Sequence, residues 1–352
     1  MHRRTVLITG ANGYIGNAVA KAFARAGWTT YGLIRRAEDA SDLAKHEIHP
    51  LIGAPEDFGP SPESKSKHFT HPVFDVVVSN TEDWSNYTKH FKEVHSMLLH
   101  IGQCSSNQAG IRPLVLFSSG CKDYGMTAHH NDPTLTPHTE TSPLNGLPLL
   151  LPRTQASANL LHTSANQPFD ITITRPTPVY GYGSSNYGPI FSLAETHKHT
   201  GVLPIPANPN VIVHGTHVDD CASVYVALAE HPQRDQIINQ AFNISNARYE
   251  TTAEICNAVA KSYNLSIEYT PPKPLDGIIP GMVDAILNYS QWVSSDKIRH
   301  LTGWTEKRAY FADGIEEYRL SYEAAMASGH RGTVRLDSIS RDPGAFSRSS
   351  EV

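Results

Sequence analysis

Three glycines spaced three residues apart, Gly10, Gly13 and Gly16, lie in the segment Thr9-Gly10-Ala11-Asn12-Gly13-Tyr14-Ile15-Gly16. The apolar run Thr5-Val6-Leu7-Ile8 leads into it, and an alanine-rich stretch from Asn17 to Ala26 follows. A strand that breaks at such glycines and restarts as a helix can hold the pyrophosphate of a dinucleotide. Gly10 makes the tight turn, Gly13 lets the backbone approach the phosphates, and Gly16 lets the helix pack close to the sheet. The phosphates then rest on the free N–H groups and positive end of that helix, with Asn12, Tyr14 and Ile15 in the same contact loop. A second chemical segment is Ser118-Ser119-Gly120-Cys121-Lys122-Asp123-Tyr124-Gly125. Its hydroxyl and amine are donors able to meet a developing oxyanion. The loop beyond carries His129, His130, His138 and Glu140. His129 is a candidate acid there, against the alternative of a solvated loop histidine. His197-Lys198-His199 and His214-x-x-His217 have no nearby carboxylate or thiolate to complete a ligand set, so no metal is assigned.

These groups need elements to hold them. Apolar, β-rich runs recur at Trp28 to Ile34, Glu47 to Ile52, Val73 to Ser79, Pro113 to Ser118 and Asp170 to Arg175, with helical patterns between them. The alternation predicts an α/β fold, a doubly wound parallel sheet of Rossmann type, over residues 1–180. Pro55 to Pro72 reads as a loop or insertion. From about residue 180 the elements shorten and proline-rich turns appear, as at Pro204-Ile205-Pro206 and Pro271-Pro272-Lys273-Pro274. Asp219 or Asp220 is placed to cap a helix to about Glu230. Thr251-Thr252-Ala253-Glu254 is a capping box opening another to about Tyr263. A last helix is expected from about Ala312 to Ser328, stopped by Gly329. Residues 181–328 thus form a smaller, irregular substrate lobe, some segments of which return to the sheet. The apolar-poor residues 329–352 are expected to be a mobile tail.

The 352 residues suffice for one large or two medium domains. With 29 Lys and Arg against 34 Asp and Glu, the net charge of −5 supplies no field for nucleic acid or an anionic membrane. No apolar run approaches the ~18 residues of a membrane span. With a first strand beginning by residue 5, no signal or transit peptide is expected. The four cysteines, at 104, 121, 221 and 256, lack metal-like spacing. They read as reduced thiols of a cytoplasmic protein.

Several motifs, in order, resemble the extended short-chain dehydrogenase/reductase superfamily in its epimerase/dehydratase-type branch. They are the Gly10-x-x-Gly13-x-x-Gly16 loop, Arg175-Pro176-Thr177-Pro178-Val179-Tyr180-Gly181, His217-Val218-Asp219-Asp220, and Ser294-Ser295-Asp296-Lys297 followed by Leu301-Thr302-Gly303-Trp304. The likeness spans about residues 5 to 325. It implies that Pro176 and Val179 line the nicotinamide end and adds Asn80, after the run Val73 to Ser79, to the cofactor contacts. The superfamily's chemistry uses a Tyr, a Lys four residues later, and a Ser or Thr on strand five. This chain has no Tyr from Gly125 to Val179 and no Lys from Asp123 to His197. The Gly120-to-Gly125 element instead resembles the progesterone 5β-reductase/iridoid synthase-like branch, where the Lys follows strand five and the Tyr comes from a later helix. That likeness implies that Lys122 is kept as the catalytic Lys and that the Tyr position falls at or beside Arg153. Arg153 would polarise an oxygen or hold a carboxylate, and Ser119 would stand for the strand-five hydroxyl. The superfamily often dimerises through helices of the first lobe, so a homodimer is an expectation, although no such face is identifiable in the sequence.

Cofactor choice rests on Tyr31-Gly32-Leu33-Ile34-Arg35-Arg36. Arg35 and Arg36 suit the 2′-phosphate of NADP(H) better than the ribose hydroxyls of NAD(H). The expected function is an NADP(H)-dependent oxidoreductase that reduces a carbonyl or enone, with Lys122, Ser119, Arg153 and His129 as catalytic candidates. The apolar stretch Leu144 to Leu151 hints at a small hydrophobic substrate. A redox-neutral isomerase, cyclase, dehydratase or lyase on the same scaffold is the alternative. A non-catalytic dinucleotide sensor is a second.

Overall fold

The computed structural model describes residues 3–58, 72–183, 185–272 and 282–341. The first lobe runs β1 (Thr5–Thr9), α1 (Tyr14–Arg25), β2 (Thr29–Ile34), α2 (Ala40–Ala44), β3 (His49–Ile52), β4 (Val76–Ser79), α3 (Tyr87–Ala109), β5 (Leu114–Ser118), α4 (Leu151–His162) and β6 (Asp170–Pro176). Then follow β7 (Val179–Tyr180), α5 (Gly188–His197), β8 (Val202–Ile205), β9 (Ile212–Val213), β10 (Thr216–His217), α6 (Val218–Glu230) and β11 (Gln240–Ile244). The chain closes with β12 (Glu250–Thr251), α7 (Thr252–Tyr263), β13 (Ser266–Tyr269), α8 (Met282–Leu287), α9 (Asp296–Thr302), α10 (Ile315–Ala327) and α11 (Arg331–Arg341).

Seven strands form one parallel sheet in the order β11-β6-β5-β4-β1-β2-β3. This is the doubly wound Rossmann-type architecture that the alternating pattern predicts. Both faces of the central strands are covered, so β1, β4 and β5 read as near-continuous apolar runs rather than alternating ones. Val6, Leu7 and Ile8 are 0% exposed. The order reverses between β1 and β4, and ligands of such sheets bind outside the strand carboxyl ends at that crevice.

The second lobe is built on a different core. Tyr180, Tyr187, Phe191, Phe311, Tyr318 and Tyr322 pack together with residues of α5, α7 and α10. The capping box at α7 is present: Thr251 Oγ1 accepts the Glu254 N–H at 3.2 Å, and Glu254 Oε2 accepts the Thr251 N–H at 2.7 Å. Two expectations change. α6 is capped by the His217 ring, whose Nδ1 accepts the Asp219 N–H at 3.1 Å, rather than by Asp219 or Asp220. Asp220 instead accepts the Lys307 and Arg308 N–H groups at 3.0 Å each. The tail expected beyond Gly329 forms α11 over residues 331–341, because Thr333, Asp337 and Ile339 bury one face against the second lobe. The remaining residues of that tail, most of the Pro55-to-Pro72 segment and Lys273-Pro274 lie outside the described residues.

Candidate functional site

The glycine loop closes on itself and on the sheet. Gly10 adopts φ +62°, Gly13 N–H donates to Gly10 O at 2.8 Å, and Asn17 N–H donates to Gly13 O at 2.9 Å. A Cβ on Gly16 would stand 2.2 Å from Gly10 O, so only glycine lets α1 start this close to β1. No side chain caps the start of α1 and no acidic residue lies in its first turn. Its leading N–H groups therefore remain available to an anion. Tyr14 and Ile15 turn the other way: the Tyr14 hydroxyl donates to Gly181 O at 2.5 Å, and Ile15 packs on the core.

Across the loop lies the end of β4. Thr81 and Asn80 are the nearest neighbours of Gly10. The Ser118 hydroxyl donates to Asn80 Oδ1 and also meets the Tyr225 hydroxyl at 2.8 Å. That fixes the Asn80 carboxamide, and its Nδ2 is buried without a partner, as are Ser79 Oγ and Thr81 Oγ1. Buried donors are rarely left unpaired. Three orphaned polar atoms beside an uncapped helix start fit a polar ligand laid along the strand ends. Pro176 ends β6, and Val179 pairs with Thr216 at the same edge.

Beyond the end of β2, Arg35 is exposed and Arg36 is paired. Asp39 Oδ2 accepts from Arg36 Nε and Nη2, at 3.0 and 2.5 Å, and from Asn12 Nδ2 at 2.6 Å. Asp39 was not singled out in the sequence. A carboxylate three residues beyond the arginine pair is the signal that marks it.

Beyond β5 the chain makes a tight 3-10 turn, Cys121–Tyr124, which positions the second set of groups. Asp123 is fully buried. Its Oδ1 accepts from Arg153 Nε and Nη2, at 3.1 and 2.7 Å, and from Thr154 Oγ1 at 3.0 Å, while the Ser119 hydroxyl donates to Oδ2. Arg153 projects from the first turn of α4, where it lies over Gly120, faces the Trp84 ring at 5.2 Å and reaches Glu82 Oε1 at 3.4 Å. Burial draws the guanidinium pKa down, but Glu82 and Asp123 outweigh it and hold it above its usual range. Burial also raises the Glu82 carboxyl, partly offset by Arg153. Arg153 and Ser119 are thus brought together, but through Asp123. Glu82 and Trp84 escaped the sequence reading. Their signal is their place in the loop directly after β4, beyond a strand carboxyl end.

Lys122 lies beside this cluster with a different set of contacts. Its Nζ sits 3.7 Å from the Tyr289 ring centre and donates to Ala285 O at 3.4 Å, and it forms no ion pair among the described residues. Burial, with a smaller push from Arg153, brings its pKa down to about 7. The Tyr289 hydroxyl donates to Lys122 O at 3.1 Å, and Gln291 Nε2 donates to Cys121 O and Gly125 O at 2.8 and 2.7 Å. The second lobe therefore grips the turn that carries Lys122. The recess there, lined also by Pro178, Val213, His214 and Ile286, holds about 10 Å³, room for one water.

His129 is exposed, with its ring 3.5 Å from Asn208 Nδ2, and is not among the side chains around Lys122. His214 and His217 are buried structural groups, and no set of three or more metal-ligating side chains occurs among the described residues. No described helix is long and apolar enough to cross a membrane.

The parallel sheet, the glycine loop and the orphaned donors at β4 define a dinucleotide-binding fold. The model of the NAD dependent epimerase/dehydratase family matches residues 6–245, and the chain belongs to that family. Solved structures agree at low identity. A dTDP-glucose 4,6-dehydratase from Bacillus anthracis in complex with NAD is 15% identical at a TM-score of 0.70, over 95% of this chain and 99% of that one. A UDP-glucuronic acid 4-epimerase from Bacillus cereus with NAD gives 16% and 0.69, over 94% and 99%. A UDP-glucose 4-epimerase from Thermotoga maritima gives 16% and 0.66, over 92% and 99%. No curated protein matches the sequence.

Proposed function

We propose that this protein is an NADP(H)-dependent reductase of a carbonyl or conjugated enone on a small hydrophobic substrate, with Lys122 as the proton donor. The observation that carries this reading is the Lys122 amine, held over the Tyr289 ring at a strand carboxyl end with its pKa brought down to about 7. A group that titrates near the working pH is the most effective general acid. The dinucleotide, when bound along the glycine loop and Asn80, supplies the hydride. Lys122 then donates to the oxygen or enolate that gains charge. Arg153 and Ser119 act through Asp123, which fixes the turn bearing Lys122. The exposed Leu149 and Leu151 at the head of α4 supply an apolar rim for the substrate.

The test is NADPH oxidation against a panel of enones and ketones. Lys122→Met is expected to lower kcat by about 10²–10⁴-fold, the usual worth of a general acid, with NADPH affinity by fluorescence within about twofold. Because the ammonium is the donor, wild-type kcat/KM should fall as pH rises through about 7. A variant with unchanged kcat removes Lys122 from the mechanism.

A redox-neutral dehydratase or isomerase is favoured by one observation, the raised Glu82 carboxyl beside Arg153. An acid whose pKa is raised in this way exchanges protons without any hydride step. Turnover that proceeds at equal rate with the dinucleotide omitted would select it.

A further inference from the structure

The turn between α10 and α11 returns the chain to the first lobe. Gly329 adopts φ +67°, and His330 Nδ1 lies 3.0 Å from Thr333 Oγ1. Thr333 packs on Gly183, where an added Cβ would stand 2.8 Å from Thr333 Oγ1 and 2.3 Å from Ala325 Cβ. This close approach sets where α11 begins. It brings Arg331 Nη1 to 3.6 Å from Asp39 Oδ1, the carboxylate that already holds Asn12 of the glycine loop and Arg36. The guanidinium groups of Arg36 and Arg331 therefore meet on Asp39 at the rim of the loop, next in sequence to the exposed Arg35, and among the described residues Glu38 is the other carboxylate paired with Arg36.

An exposed pair at 3.6 Å contributes about 0–1 kcal/mol, too little to explain why an arginine from the far end of the chain is held there. A phosphate dianion is a better partner, because it carries more charge than a carboxylate and accepts from several guanidinium forks at once. Asp39 occupies the position that such an anion would contest.

We propose that Arg331 is a specificity residue for the dinucleotide, a third cation on the 2′-phosphate of NADP(H), so that this cofactor fastens α11 against the first lobe. The proposal rests on the NADP(H) reading above and extends it to a residue of the C-terminal helix. Before the phosphate arrives, Asp39 keeps Arg36 and Arg331 beside the loop. Once it is bound, the guanidinium groups turn from Asp39 to the phosphate oxygens. NADH, with a 2′-hydroxyl, gives Arg331 nothing to hold and leaves Asp39 as the ribose partner.

The experiment measures NADPH and NADH dissociation constants by cofactor fluorescence for the full chain and for Arg331→Ala, Arg331→Lys and Asp39→Asn. Amide hydrogen exchange across residues 331–341 is followed with each cofactor. Arg331→Ala is expected to weaken NADPH by about tenfold or more and NADH by less than twofold. Arg331→Lys should recover only part of the loss. Asp39→Asn should weaken NADH and not NADPH. Exchange in α11 should slow with NADPH and not with NADH. A wild type that prefers NADPH while Arg331→Ala keeps the same preference overturns the role of Arg331 and leaves the cofactor reading standing. A wild type that binds the two equally, or neither, overturns both. A uniform loss of both affinities in Arg331→Ala, with a lowered melting temperature, assigns the residue to folding and also overturns the proposal.

Discussion

At the scale of single residues, the turn after β5 is organised by a buried ion pair. Arg153 and Asp123 share two hydrogen bonds, and Asp123 is 0% exposed. Removing one partner of such a pair leaves an uncompensated charge, at a cost of about 3–5 kcal/mol. Arg153→Met is therefore expected to lower the denaturation midpoint strongly. Arg153→Lys should not restore it, since a point charge cannot make the paired Nε and Nη2 contacts. The double variant Arg153→Met with Asp123→Asn should recover part of the loss by neutralising the stranded carboxylate. Equal stability of Arg153→Met and wild type in urea would show that Asp123 is satisfied by its hydroxyl donors alone. The sequence reaches Arg153 and Ser119 through the family resemblance, which implies a role at both positions. It does not reach Asp123 as their shared partner, although Asp123 lies inside the same motif. A side chain's role in a buried network depends on what folds over it, here the first turn of α4 thirty residues on.

At the scale of elements, legibility divides by how local the physics is. The strand, glycine loop and start of α1 were readable because three glycines meet three adjacent backbone demands within one turn. The capping box at Thr251 was readable for the same reason. Tyr289 and α11 were not, since neither has a local signature. Tyr289 matters only because the second lobe folds onto the Cys121–Tyr124 turn. α11 is rich in Arg and Ser, and its buried stripe of Thr333, Asp337 and Ile339 mixes polar with apolar residues. Tertiary packing stabilises such a helix more than propensity does. Gly16 gives the element-scale test. In an ordinary helix, Gly→Ala adds about 1 kcal/mol of stability. Here the new Cβ would stand 2.2 Å from a backbone oxygen that cannot move without opening the loop. Gly16→Ala is expected to lower the melting temperature and abolish dinucleotide binding by fluorescence titration. A more stable variant that still binds would mean that α1 can shift away from Gly10 at no cost.

At the scale of the whole molecule, buried titratable groups set how stability follows pH. His214 is buried, with Nδ1 accepting the Val293 N–H at 3.2 Å and Nε2 facing Asn246 O at 3.0 Å. Burial brings its pKa down to about 4, and burial lowers His217 likewise. Glu250 has the opposite sense. Its carboxylate accepts the Phe311 and Ala312 N–H groups at 3.1 and 2.7 Å, yet burial pushes it up to about 7. The signs decide the pH profile. Between about pH 4 and 6.5 the unfolded chain binds more protons at both histidines, so stability rises with pH. From about pH 4.5 to 7 the folded chain binds more at Glu250, so that contribution falls as pH rises. Two histidines oppose one carboxyl over nearly the same window, and stability should rise on balance from pH 4 to 6.5. His214→Gln separates the terms, because the carboxamide can accept from Val293 and donate to Asn246 without titrating. It should raise stability at pH 4.5 relative to pH 7 by about 2–3 kcal/mol compared with wild type, the worth of roughly two pKa units. The profile would be read from urea midpoints at both pH values. An acid limb as steep in His214→Gln as in wild type would place the sensitivity elsewhere, with His217 and its contact to Asp219 as the next group to replace.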